Sequence, residues 1–519
     1  MNKKVDVRSR KGISDYRILV PSILIISIVS ILFSIFESKS LNILNSIFDY
    51  IVQVFSWGYI WYAVILFIAT LFFSFSKYGN VVLGKPQDKP RFTLFQYASI
   101  LIATGLGSTV MRTGIIQWTD VTLDPPAGVT PESTEALLWG SSYSMFIWSP
   151  LIFSIFVVAA PAIAYVLHVR KKPLLRISEA CRPVLGDKII DGIGGKILDI
   201  IFLLSILSGA SVTLGFSTPL VTYSLASLFD VEVTFGLTLL VIIVWVLLFT
   251  ISAYLGIDKG IKKLSTFNMY LAGVFALCIM IVGPGIFIIN YFTENISFLF
   301  KHYIDMSLYT NSLNLGETSF MERNTVFWIA YNSTWGMLGS VFIAKISRGR
   351  TIKEMILTYL LAPTLVSWVV TGVLGGLGVH RYINGDIPVL DIAKEDPMLA
   401  IPEILSSLPL GIIAIIVFIF ITTIFLATTL DSTTYTIASY TSTKNMSEEE
   451  PSKTLTIIVA IILTMVTLIL MRIGGLAPLE VLSGLMGIPI IFVQFLTIYS
   501  VKKMMDEDKA WKYNIRDKQ

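Results

Sequence analysis

The chain has 519 residues, of which 54% are hydrophobic and only 14% charged, against about 25% charged in an ordinary soluble domain. Length alone suggests roughly three domains, but a water-facing surface of that size needs more charge, so the composition points to a polytopic membrane protein. The net charge of +4 does not imply nucleic acid, because the bases lie in short clusters between apolar runs, where anionic lipid and topology account for them. Two cysteines, Cys181 and Cys278, are too few for a disulfide framework or a zinc site.

A crossing helix takes about 20 apolar residues. Twelve such segments are read, centred near residues 26, 66, 106, 155, 210, 243, 278, 336, 367, 419, 462 and 488. The first, residues 17–36, has no small-residue cleavage site behind it and is read as a span rather than a signal. The loops alternate in charge. Lys77, Lys85, Lys89 and Arg91 follow the second span, and Arg170, Lys171, Lys172, Arg176, Arg182, Lys188 and Lys196 follow the fourth. Lys259, Lys262 and Lys263 follow the sixth, and Lys345, Arg348, Arg350 and Lys353 follow the eighth. The leader and tail are basic too, whereas residues 119–138 hold no Lys or Arg. Short basic loops stay in the cytoplasm, so both termini are expected there, in a plasma-membrane protein. Three spans carry interruptions: Gly105, Gly107 and Gly114 in the third, Gly209, Gly215 and Pro219 in the fifth, and the hydroxyl-rich run 428–434 in the tenth. Such breaks either line a cavity or allow tight helix packing. Residues 294–312 read as an amphipathic helix at the outer interface.

Enzyme signatures are absent: the three histidines lack metal-ligand spacing, and there is no phosphate-cradling loop or nucleophile elbow. Transport energy would come from an ion gradient or from exchange. In the eighth span Trp328, Tyr331 and Trp335 stand at i, i+3 and i+7, on one helix face. That face could hold an alkylammonium by cation–π attraction, or it could belong to an interfacial belt or a packing surface. Arg112 lies within a span, where an arginine costs at least about 2.5–3.5 kcal/mol and so faces a cavity or a partner. It could grip the anionic end of a zwitterion while Tyr331, Trp335 and Trp118 receive the cationic end. It could equally pair internally, with Asp431, or snorkel outward.

The ending IAKISRGRTIKE of the eighth span resembles the signature of the betaine/carnitine/choline transporter family. The resemblance extends through DPPAGVTPESTEA, PLLRISEACRPVLGDKI, TLGFSTPLVT and YLGIDKGIKKLSTFNMYLAG, over nearly the whole chain. It implies an all-α integral membrane fold of twelve transmembrane helices with two inverted five-helix repeats, like the amino-acid:sodium symporters, assembled as a homotrimer embedded in membrane lipid. The expected units are 1–92 (leader and two peripheral spans), 93–293 (first repeat), 294–324 (interfacial helix and outer loop), 325–501 (second repeat) and 502–519 (short tail).

The substrate cage implied by the resemblance is altered. Its W-A-W-W-x-x-W/Y reads Ile329-Ala-Tyr331-Asn332-Ser-Thr-Trp335, with an amide where a tryptophan is usual. The third span has Arg112 and Thr113 where aromatics are common and Gln117, followed by Trp118, where a Glu is usual, and Phe156 lies in the altered fourth-span motif. The ligand is therefore expected to be less methylated than glycine betaine, or to carry a more demanding acidic group. A sodium site is implied at the backbone carbonyls of Ala103, Leu106 and Phe425 with the hydroxyls of Thr428 and Thr429. Threonines in apolar helices alternatively bond their own i−4 carbonyl. Sodium-independent carnitine exchangers carry an Arg where this chain has Asn268, which favours sodium, unless Arg112 itself reaches the ion site. The expected function is sodium-coupled import of a small zwitterionic or cationic compound of betaine, carnitine or choline type. The alternatives are a substrate/product antiporter and an osmosensor on a transporter scaffold, the latter disfavoured by the short tail.

Overall fold

The computed structural model describes residues 15–35, 37–255, 262–312, 319–443, 449–474 and 477–515. The basic leader 1–14, Lys259 and the end of the tail lie outside them. Helices α1 (Tyr16–Ile35) and α2 (Glu37–Phe75) come first. The third span is α3 (Leu94–Gly105) and α4 (Thr109–Leu123), and the fourth is α5 (Thr134–Phe146), α6 (Pro150–Val157) and α7 (Ala160–Ala164), ending in a π-helical turn, Tyr165–Val169. Short α8 (Ile177–Leu185) and α9 (Asp187–Ile190) lead to α10 (Ile193–Phe229), α11 (Phe235–Leu255), α12 (Lys262–Val282) and α13 (Gly285–Leu308). A second π turn, Met321–Val326, feeds α14 (Phe327–Ile346). Then follow α15 (Ile352–Ile383), α16 (Val389–Glu395), α17 (Pro397–Ser406), α18 (Gly411–Thr441), α19 (Lys453–Gly474), α20 (Ala477–Glu507) and α21 (Ala510–Tyr513).

Each of the twelve span centres falls on a helix or, at residue 106, on a helix break. Among the described residues, seven helices are long and apolar enough to cross a membrane, and the bent pair α3–α4 makes an eighth. The centres at 26, 243 and 462 lie on shorter apolar stretches. The eighth span, α14, falls short of that apolarity for a physical reason. Nearly all its residues from Trp328 to Ile346 are buried, so it is covered by protein and needs no lipid-facing stripe. Outward-facing Leu247, Leu277, Ile412 and Phe420, by contrast, are each more than half exposed, as an apolar solvent allows.

The interruptions differ from those read in the sequence. The third span is broken, with a bend of 58° between α3 and α4. The fifth and tenth are continuous helices, α10 and α18. Hydroxyls within them bond back along the helix: Ser217, Thr218 and Thr222 to carbonyls four residues earlier, and Ser432, Thr433, Thr434 and Thr436 likewise within four. Those bonds satisfy the hydroxyls at depth without breaking the helix. The fourth span is the unexpected break, restarted at Pro150 and Pro161, prolines at the first turns of α6 and α7, where the missing N–H costs nothing. The helix expected at 294–312 begins earlier, at Gly285. Its inner face carries Ile288, Tyr291, Asn295 and Leu299.

The SRGRT segment after α14 explains itself residue by residue. The Ser347 and Tyr97 hydroxyls share a hydrogen bond of 2.6 Å, and Arg348 pairs with Asp88 at 3.0 Å. Gly349 has φ +81°, and a Cβ there would meet Lys89 backbone at 2.6 Å. Buried Arg350 bonds Glu354, donates to the Phe92 carbonyl at 2.8 Å, and lies 4.0 Å from the Tyr97 ring centre. Thr351 caps α15 by accepting from the Glu354 N–H. The signature thus ties the end of α14 to the start of α3.

Candidate functional site

The α3–α4 break faces α14. At Leu106-Gly107-Ser108 the chain stops one helix and starts the next. The last carbonyls of α3 and the first N–H groups of α4 therefore lack helical partners and meet at one place. A small cavity of about 10 Å³ lies there, lined by Thr104, Gly105, Leu106, Gly107, Thr109, Trp148, Phe156, Thr213, Tyr331, Asn332, Trp335 and Thr429. It has room for about one water. Beyond it opens a vestibule of about 770 Å³ whose walls include Arg112, Gln117, Asp120, Phe216, Glu322, Arg323, Phe327 and Trp328.

A ring cluster separates the two. Phe216 stacks on Trp328 with centres 6.2 Å apart and planes at 13°, and meets Tyr331 edge-on at 5.9 Å. Phe327 stacks on Tyr331 at 6.0 Å. Hydrogen bonds fix the inner rings: the Trp335 indole N–H donates to the Tyr331 hydroxyl at 3.0 Å, and that hydroxyl shares a 3.0 Å bond with Thr213. The Trp148 N–H donates to Thr113 at 2.7 Å. The Asn332 amide donates one N–H back to the Trp328 carbonyl at 2.8 Å.

Of the residues singled out in the sequence, Tyr331, Asn332, Trp335 and Phe156 line the inner cavity together with Leu106 and Thr429. Trp328, Arg112 and Gln117 line the vestibule. Trp118 lines neither. Its indole N–H bonds its own Ile115 carbonyl and its ring packs near Tyr382 and against Gly378 of α15, because at position 118 the helix turns that face toward α15. Arg112 donates to the Gln117 side-chain oxygen at 3.0 Å and lies 3.8 Å from the Asp120 carboxylate. Its guanidinium sits 5.2 Å from the Phe216 ring centre. The internal partner is thus Asp120, two turns along the same helix, rather than Asp431, and Gln117 holds the guanidinium in the vestibule.

Of the oxygens expected to hold a cation, the Thr429 hydroxyl and the Ala103 and Phe425 carbonyls lie together. The Thr429 hydroxyl lies 2.8 Å from the Ala103 carbonyl and 2.9 Å from that of Phe425. The Thr428 hydroxyl reaches the Phe425 and Ile424 carbonyls, each at 2.9 Å. All are neutral hard oxygens, the donor chemistry a sodium ion takes, and none carries a competing charge. Asn268 is buried between α12 and α18, donating to the Ile421 carbonyl at 3.3 Å. Trp148, Thr213 and Phe216 were not singled out. The last two lie within TLGFSTPLVT, so the signal sat in a motif that carried the resemblance.

Broken helices, a closed polar-aromatic centre and a wide vestibule define a multi-pass helical membrane protein with a path for a small solute. The chain belongs to the betaine/carnitine/choline family of transporters, whose family profile matches residues 17–510. Among solved structures, a Na+-coupled sialic acid symporter in its substrate-bound, outward-open state is similar over 86% of each chain, at 14% identity and a TM-score of 0.49.

Proposed function

We propose that the chain imports a small zwitterion of betaine, carnitine or choline type by sodium-coupled alternating access through the inner cavity. The observation that carries this reading is the meeting of four aromatic side chains (Trp148, Phe156, Tyr331 and Trp335) with the α3–α4 break and Thr429 around one cavity. The start of α4 offers N–H groups and the positive end of its dipole to a carboxylate. The rings receive the ammonium, at about 0.5–2 kcal/mol each. Thr429, bridging α3 and α18, would join the Ala103, Leu106 and Phe425 carbonyls in holding sodium, so that filling the ion site steadies the helix break that binds substrate. Twelve crossings, the inverted repeats 93–293 and 325–501, cytoplasmic termini and a homotrimer belong to the same reading.

One observation favours exchange instead. The Thr428 hydroxyl meets only carbonyls of its own helix, whereas that of Thr429 also reaches α3, so Thr428 has no contact across to the α3 side of an ion site. Uptake into proteoliposomes decides between the two. Under symport, an inward sodium gradient drives accumulation, and Thr429→Ala raises the sodium needed for half-maximal uptake. Uptake that ignores sodium but needs substrate inside the vesicle would replace symport with exchange.

A further inference from the structure

The stripe of α14 that lines the inner cavity continues beyond it. Four residues on from Asn332 stands Gly336, then Ser340, and four on from Trp335 stands Gly339, positions that share one side of a helix. These three lie farther along α14 from the vestibule than the rings do, and they meet the fourth span where it breaks. A Cβ on Gly336 would stand 2.5 Å from the Ile155 carbonyl oxygen, and one on Gly339 would stand 3.0 Å from the Phe156 ring. The Ser340 hydroxyl donates to the Phe156 carbonyl at 2.7 Å.

The break leaves carbonyls to be met. The Val158 N–H closes the ladder of α6 on the Ser154 carbonyl, and Pro161 has no N–H to offer Val157. Side chains from two other helices take the carbonyls between. Ser340 serves Phe156, and Gln494 of α20 serves Ile155, donating from Nε2 at 2.9 Å. A carbonyl only accepts, so the orientation of the Gln494 amide is fixed, and its oxygen takes the Tyr62 hydroxyl of α2 at 2.5 Å. Ser340 and Gln494 are both buried, so losing either leaves a carbonyl unmet away from water. The end of α6 held in this way carries Phe156, a wall of the inner cavity.

Resting on the reading of the chain as an importer of a small zwitterion, we propose that Ser340 and Gln494 are positioning residues for the substrate. Neither lines the cavity. They act on the backbone of the fourth-span break, and through it fix the Phe156 ring against α14.

Hydrogen exchange read by mass spectrometry on the full purified chain tests this without a substrate, in single and double variants. Ser340→Ala, and Gln494→Met as a second variant of similar length without an N–H, should each let water reach the cavity. The peptide covering residues 104–109, which line it, should then exchange about five-fold faster, the weight of one hydrogen bond. Phe156→Ala should do the same, and adding either variant to it should change nothing further at 104–109. Faster exchange confined to residues 158–160 would make the two residues merely structural and overturn the proposal, as would effects that multiply in the Phe156→Ala chain. In proteoliposomes, Ser340→Ala should raise the half-saturating concentration of N,N,N-trimethylglycine about five-fold with the maximal rate kept; a fall in maximal rate alone also overturns it. Should the exchange pattern hold while the unaltered chain takes up no trimethylglycine, the hold on Phe156 stands and only the transport reading fails.

Discussion

Gly107→Ala tests whether the helix break and the ion oxygens act together. Gly107 has φ +56°, a left-handed conformation that costs an L-residue roughly 1–2 kcal/mol. An added Cβ would also lie 3.0 Å from the Thr429 hydroxyl oxygen. That oxygen is held between the Ala103 and Phe425 carbonyls at 2.8 and 2.9 Å, so yielding a few tenths of an ångström weakens one of its two bonds, worth about 1 kcal/mol. Gly128→Ala supplies the control, because Gly128 has φ +92° but nothing within 4 Å of its added Cβ. Both variants should lose thermal stability from backbone strain, Gly107→Ala by up to about 1 kcal/mol more for the weakened Thr429 bond. Only Gly107→Ala should shift the sodium concentration for half-maximal uptake, by about five-fold for 1 kcal/mol. The assay is a sodium titration of uptake in proteoliposomes alongside thermal unfolding in detergent. If the two alanine variants share one sodium half-saturation, the link between the break and Thr429 is refuted.

Trp335→Ala should abolish saturable uptake with the protein still in the membrane, and Trp335→Phe, which keeps a ring but loses the N–H donated to Tyr331, should raise the half-saturating substrate concentration about 5-fold; unchanged kinetics in the alanine variant would remove this ring from the substrate path. Burial, with the Asp199 carboxylate second, pushes the Cys181 thiol up to about 12, so maleimide at pH 8 should label it only after denaturation, as mass spectrometry of the modified peptide would read. Tyr440→Phe deletes the hydroxyl that donates to buried Asp199 and accepts from the Ile177 N–H. It should cost about 1–3 kcal/mol, seen as a lower thermal midpoint; an unshifted midpoint would show that this contact between α8, α10 and α18 contributes nothing.

Much of the cavity was legible because its residues sit in contiguous motifs. Tyr331, Asn332 and Trp335 share one turn-and-a-half of α14, and the glycines around Leu106 mark a break that periodicity exposes. The fourth-span breaks at Pro150 and Pro161 were not read from the sequence, because apolar flanks on both sides make such a segment read as one run. Arg112 was not decidable from spacing. Its partner eight residues on is reached only because the side chain lies along the helix axis, and Gln117 fixes that rotamer through a contact no pattern encodes. Trp118 shows the same limit, since one position of helical phase decides between a cavity and a packed face. The polarity of α14 did not keep it from being read as a span. A helix wrapped by α20, α6 and α10 can be polar and still lie at the centre of a membrane fold.

Tyr331 joins binding to access by geometry alone. Its ring lines the inner cavity, its face is stacked by Phe327 and its edge met by Phe216, and its hydroxyl is held by Trp335 and Thr213. With about 10 Å³ available, a substrate larger than one water cannot enter without displacing one of these neighbours. Any displacement of Tyr331 is felt at Phe216, and through it at Trp328 and Arg112 in the vestibule wall. On the proposed function, occupancy of the centre and access from the vestibule would draw on the same few ring contacts. A ligand that fills the cavity without ordering Tyr331 would bind but leave the ring cluster unchanged, which separates an inhibitor from a transported solute.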